Sequence, residues 1–216
     1  MVHDGYVALM PSIALRDLVA PGHTALLIQE VQNSVVGADS ALPALAQAAK
    51  EVGVFDNLRP LAVAARALGV PVIHATAENL PGGFGSNHNA RLFAGARKAG
   101  ADNAAGSEAV QPVAAVGVAE GDIVYPRYHG LSPLTGAQLD SLLRNAGITT
   151  LVVTGVSLNI AIPNVVFDAV NRSYQVVVVT DAVAGVPVEY GRAVVANTLY
   201  LLATLVTTKE LLDTWG

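Results

Sequence analysis

Five short runs of apolar, mostly β-branched residues recur along the chain: TALLIQ (24–29), VPVIHAT (70–76), DIVYP (122–126), TTLVVTG (149–155) and YQVVVVTD (174–181). Within each run the apolar residues are continuous rather than alternating. A strand with one wet face alternates, whereas a strand covered on both faces does not. Helical patterns separate the runs. ALPALAQAAKEVGVFDNLRPLAVAARALG (41–69) reads as two helices, or one with a break, ending at Gly69. NARLFAGARKAG (89–100) and TGAQLDSLLRNAG (135–147) are short helices with glycine stops, and NIAIPNVVFDAVNRS (159–173) leads into the last strong strand. The tail, VEYGRAVVANTLYLLATLVTTKELLDTW (188–215), reads as one or two helices. Strand, helix, strand, helix means a parallel sheet wrapped by helices through right-handed crossovers, an α/β fold. Residues 1–216 form a single domain on this reading, with 1–22 as an N-terminal arm and the 188–216 helices as oligomer contacts.

Composition narrows the function classes. Hydrophobic residues make up 52% of the chain and charged residues 13%. That fills a large core and leaves apolar surface for a partner subunit. In the tail, Leu201, Leu202, Leu205, Leu211 and Trp215 are the residues expected to supply it. A net charge of −5 offers no footprint for nucleic acid or an anionic membrane. With no cysteine, disulfides, thiolate catalysis and Cys-ligated metals are excluded. The N-terminus lacks a basic stretch before an apolar core, and no apolar run has the length of a span, so a cytoplasmic protein is expected.

Ligands of such folds bind beyond the carboxyl ends of the strands, which directs attention to a few residues. Glu30 directly follows the first strand. A carboxylate there is costly to bury unless paired or held neutral, and is a candidate general acid or base; capping a helix or pairing with an arginine explains it equally. Gln32 and Asn33 follow it. Tyr125, Arg127 and His129 lie in YPRYHGLSPLTG, where an arginine fork suits a carboxylate or oxyanion and a histidine moves protons near neutral pH. Pairing of Arg127 with Glu30 or Asp181, and a structural His129, are the plainer alternatives. ENLPGGFGSNHNARLF (78–93) is a glycine-rich loop, a candidate lid bringing Asn87, His88, Asn89 or Arg91 to a ligand, with Asn87 and Asn89 alternatively helix caps. The five histidines, His3, His23, His74, His88 and His129, show no metal-ligand spacing, and no cofactor motif is present.

TGVSLNIAIPN (154–164) has the form of a strand-to-helix elbow, yet its helix begins at Ile160, Ala161 and Ile162. Ser157 resembles the serine of a nucleophile elbow, but the closing glycine is absent and no histidine follows it in the chain. Asn159 is a natural N-cap, and free amides near Ile160 to Ile162 offer an oxyanion hole.

Over Thr24 to Ala184, on ALLIQEVQN, VYPRYHGL…TGAQLD and TTLVVTGVSLNIAIPNVVFDAVNRSYQVVVVTDAVAG, the chain resembles the isochorismatase-like hydrolases, also called cysteine hydrolases. The resemblance implies a three-layer α/β/α sandwich around a six-stranded parallel sheet, and dimers or tetramers. It also implies a catalytic aspartate, lysine and cysteine at the positions of Glu30, Tyr125 and Ala161, all three of which differ here. A methyl group cannot attack a carbonyl, so covalent thiol catalysis is excluded. The family's isochorismatases also lack the cysteine; they protonate a vinyl ether with the retained acid. The expectation is therefore a non-covalent hydrolase of a small, anionic metabolite. Glu30 would be acid or base, with Arg127, His129 and Ala161 in the catalytic group. Gln32, Asn33, Tyr125, Ser157, Asn159, Ile160, His88 and Arg91 would contact substrate. An inactive homologue that binds a ligand or protein partner is the alternative, and a serine hydrolase through Ser157 a lesser one.

Overall fold

The computed structural model describes residues 13–98, 103–136 and 138–216. Most of the expected N-terminal arm, with His3, and the end of the 89–100 stretch therefore lie outside the described residues. In chain order the elements are α1 (Leu15–Leu18), β1 (Thr24–Gln29), α2 (Asn33–Val36), α3 (Pro43–Val52), α4 (Val54–Ala67), β2 (Val72–Ala77), α5 (Arg91–Lys98) and β3 (Ile123–Arg127). Then come α6 (Leu139–Asn145), β4 (Thr150–Val156), α7 (Ala161–Asn171), β5 (Gln175–Ala184), α8 (Val188–Asn197), β6 (Thr204–Val206) and α9 (Thr208–Trp215). The six strands form one sheet in the order β3-β2-β1-β4-β5-β6, and every pairing is parallel.

The continuous apolar runs of β1, β2, β4 and most of β5 are strands buried on both faces, whereas the edge strand β3, expected to be covered likewise, leaves Ile123 and Val124 exposed because no strand pairs with its outer side. On one face Leu26, Ile28, Val72, Val152 and Val177 pack under α3, α4 and α9. On the other, Ala25, Leu27, Ile73, Leu151 and Val178 pack under α6, α7 and α8. Successive residues of one strand thus serve opposite layers, and this α/β/α sandwich needs them all to be apolar. The break foreseen between residues 41 and 69 falls at Gly53, whose φ of +81° ends α3 and starts α4.

The tail departs from an all-helical reading. Thr204–Val206 adds a sixth strand on β5, between α8 and α9. Leu211 and Trp215 are not available to a partner subunit, because α9 buries both in its own protomer. Trp215 Nε1 also donates to the Val19 carbonyl at 2.9 Å. Leu201 remains 65% exposed. No helix among the described residues is long and apolar enough to cross a membrane.

One polar cluster is built into the sheet away from the strand ends. His74 of β2 is buried and its Nε2 lies 3.2 Å from Asp122 Oδ2. Asp122 also accepts from Arg66 Nε at 3.0 Å and Nη2 at 2.6 Å, and from the Ala119 amide at 2.9 Å. Burial drives the His74 pKa below its ordinary 6.5, outweighing the carboxylate beside it. Burial also pushes the Asp122 carboxyl upward, but the donors from Arg66, Ala119 and His74 prevail and hold it below 3.8.

Candidate active-site cleft

The strand order reverses direction between β1 and β4, and the crevice of an open parallel sheet forms at that point, beyond the carboxyl ends. Here β1 and β4 approach closely. Gly155 pairs with Gln29, and a Cβ on Gly155 would stand 2.2 Å from the Gln29 carbonyl oxygen. Only glycine permits that contact, at a φ of +100°. Immediately beyond it the two chains diverge, β1 into Glu30 and β4 into Ser157.

Glu30 takes a left-handed backbone, φ +52°. Its amide donates to the Ala75 carbonyl at 2.8 Å, which holds it against β2. Its carboxylate is asymmetric. Oε1 accepts from Gln29 Nε2 at 2.9 Å and from Arg127 Nη2 at 2.5 Å. Oε2 has no protein partner among the described residues, and Glu30 lines the cleft. Arg127 ends β3, two strands away, and its Nη1 donates to the carbonyls of Gly130 and His129. Among the described residues, those bonds leave Nε and the second Nη2 hydrogen for a ligand. The ion pair is largely buried, with 11% of the Arg127 and 16% of the Glu30 side chain exposed.

The cleft above this pair encloses about 970 Å³. Of the residues singled out from sequence, it gathers Glu30, Arg127, His129, His88, Ser157, Asn159, Ile160 and Ala161. Four others lie off its wall. Gln32 is buried and clamps the end of β2, accepting from the Ala77 amide at 2.7 Å and donating to the Ala77 carbonyl at 3.0 Å. Asn33 donates to the Glu108 carbonyl at 2.9 Å. Tyr125 packs against the apolar cluster beneath β3. Arg91 is exposed at the start of α5, whereas Arg97 of the same helix reaches the cleft.

The elbow is also built differently from expectation. Asn159 caps no helix; the cap position is Ile160, without a side-chain bond. Instead the Asn159 amide grips the neighbouring loop, donating to the Val186 carbonyl at 2.5 Å and accepting from the Val186 amide at 2.8 Å. The Ser157 carbonyl folds under the turn and accepts the amides of Ile160 at 3.2 Å and Ile162 at 3.0 Å. Of the three amides expected to be open, Ala161 alone keeps its N–H free among the described residues. The Ser157 hydroxyl has no hydrogen-bonded histidine or carboxylate among them to activate it.

The glycine-rich loop is tied down. Asn87 Oδ1 accepts from the Gly130 amide at 2.6 Å, and Ser86 Oγ donates to Asn79 Oδ1 at 3.2 Å. His88 and His129 both line a shallow hollow that adjoins the cleft, with Gly85 to Asn89 around it. Sequence reasoning did not single out Gln29, Arg97, or the apolar wall of Leu42, Pro43, Leu92 and Phe93. A glutamine inside an apolar run, next to the candidate carboxylate, was the available signal for the first.

Comparison with known proteins agrees with this architecture. Residues 24–210 match the family model of the isochorismatase domain. The ureidoacrylate amidohydrolase RutB of Pseudomonas syringae pv. syringae is 32% identical over 176 residues, covering 75% of this chain and 71% of its own. The protein of the same name from Methylobacterium radiotolerans is 33% identical over 193 residues, 82% of this chain and 73% of its own. Among solved structures, a cysteine hydrolase from Pseudomonas syringae pv. phaseolicola superposes with a TM-score of 0.80 at 21% identity, over 95% of this chain and 98% of its own. An isochorismatase family protein from Desulfovibrio vulgaris gives a TM-score of 0.74 at 28% identity, over 88% and 96%. The chain belongs to the isochorismatase-like hydrolase family.

Proposed function

We propose that this protein hydrolyses a carbonyl-linked C–N or C–O bond of a small, anionic metabolite without a covalent intermediate, using Glu30 as general base. The observation that carries this is the one-sided carboxylate: Oε1 is held by Gln29 and Arg127, while Oε2 has no protein partner among the described residues and Glu30 lines the cleft. A carboxylate paired with a guanidinium is better suited to take a proton from water than to give one to a vinyl-ether carbon. In the step proposed, Oε2 removes a proton from water and the water oxygen bonds to the carbonyl carbon. The oxyanion that forms meets the remaining Arg127 N–H groups and the Ala161 amide. Collapse breaks the C–N or C–O bond, and the proton held on Glu30 passes to the leaving atom. Ala161, a methyl where the family carries a thiol, leaves space for that water. The RutB relatives, named for cleaving ureidoacrylate, support the C–N class and an acidic substrate.

Glu30→Gln keeps the size of the side chain and removes the base. Screened against ureido acids, N-carbamoyl amino acids and carboxamides, this variant should lose about 10²–10⁴-fold in kcat with an unchanged circular dichroism spectrum. Undiminished turnover removes Glu30 from the mechanism. The Arg127–Glu30 pairing favours a second reading, a homologue that binds ligand without turning it over. Compounds of the same panel that raise the melting temperature, with no product formed, would establish it.

A further inference from the structure

The polar groups above make up only part of the lining of the cleft. One wall is α5, and none of its residues is buried. Its apolar side chains nevertheless lie on one side: Leu92 and Phe93, one turn before Ala96, all line the cleft. The start of α3 adds Leu42 and Pro43 to the lining of the same space. Leu42 is 42% and Leu92 44% exposed. An amphipathic helix that packs its apolar face on no other element has that face unsatisfied. Here the face lines the same cleft as a second apolar surface and as the Glu30–Arg127 pair. A cleft of about 970 Å³ lies at the upper end of the range that holds a drug-sized ligand, well beyond what a compact ureido acid fills.

We propose that the substrate is amphipathic: a polar carbonyl head seated on Glu30, Arg127 and the Ala161 amide, carrying an aryl or medium-chain alkyl body of about six to ten carbons held by Leu42 and Pro43 together with Leu92 and Phe93. The proposal rests on the placement of the reacting group at Glu30. Arg97, beyond Ala96 on the same helix, donates to the Asn87 carbonyl (3.3 Å), its one hydrogen bond among the described residues, and lines the cleft where it can meet a charged substituent.

The test uses straight-chain carboxylates from acetate to decanoate as probes, with affinity measured by calorimetry on the whole protein. Affinity should rise about three- to fourfold per methylene until the walls are covered. Leu92→Ser and Phe93→Ser should flatten that dependence and leave the melting temperature of the ligand-free protein unchanged, since neither side chain is buried. Affinity independent of chain length, or a dependence the two variants do not alter, overturns the proposal. So does a homodimer that either variant dissociates while the carboxylates fail to bind, because a second copy then covers the wall. The two readings separate cleanly. A steep chain-length dependence with Glu30→Gln still active leaves the apolar subsite standing and removes the base. A flat dependence with Glu30→Gln inactive does the reverse.

Discussion

Arg127 shows how one residue joins two jobs. Its guanidinium holds the Gly130 turn and the Glu30 carboxylate at once, which only a planar fork of several donors can do. Arg127→Met leaves the largely buried Glu30 with Gln29 as its single donor among the described residues. Stripping the partner from a poorly hydrated charge costs about 1–3 kcal/mol, so chemical denaturation should show a loss of that size together with reduced turnover. Arg127→Lys should recover part of the stability and little of the activity, because one ammonium cannot reach both partners in the same geometry. A Met variant as stable as the parent would mean that the ion pair contributes nothing net. The pairing was one of two alternatives open from sequence. What decided it was register: β3 pairs with β2 so that Arg127 stands opposite Ala77, just above the strand end where Glu30 emerges. Gln29 escaped notice because a polar residue in an apolar run reads as an interruption. Its partner is simply the next residue.

At the scale of elements, β2, β3 and α4 are joined by the His74–Asp122–Arg66 cluster, and its ionisation sets a pH dependence. The folded protein holds His74 below 6.5, so the unfolded chain binds the proton more readily. Stability is therefore full above about pH 6.5 and falls as the pH drops below it. Asp122 is held below 3.8, so its contribution persists above that value and is lost only as the pH falls through the folded pKa. Melting temperatures between pH 8 and pH 5 should decline at the acid end. His74→Gln should flatten that decline while lowering stability throughout, since it breaks the bond to Asp122. An unaltered acid slope would place the titrating group elsewhere. The elements themselves were unevenly legible. β1, β2, β4 and β5 stood out because burial on both faces demands unbroken apolar runs; β3 stood out by the same pattern although its apolar residues are partly exposed at the sheet edge. β6 did not, because its three residues sit inside a leucine-rich tail whose spacing suits a helix. The α7 start misled for a similar reason: asparagine before a helix is normally its cap, and only the tertiary approach of Val186 redirects the side chain of Asn159.

For the whole molecule, the surface carries apolar groups that its own core does not use. Ile123 and Val124 are exposed on the edge strand β3, Val118 on the loop before it, and Phe167 and Val170 on α7. An uncovered edge strand with apolar residues is a liability that a monomer rarely keeps. We infer a homodimer or tetramer, with Leu201 on the tail as a further contact, and light scattering at micromolar concentration should return at least twice the 22.1 kDa of one chain. A monomer there refutes it.

Helix α5 has a different consequence. An element with no buried side chain opens at little free-energy cost compared with the sheet beneath it. It also carries Arg91, Arg97 and Lys98 within eight residues. Brief trypsin treatment should therefore nick the native chain first in this helix and leave the sheet intact. An occupant of the cleft that lies along Leu92 and Phe93 should slow that cut in proportion to its binding. The position of the first proteolytic fragment thus becomes a way to find ligands without a turnover assay.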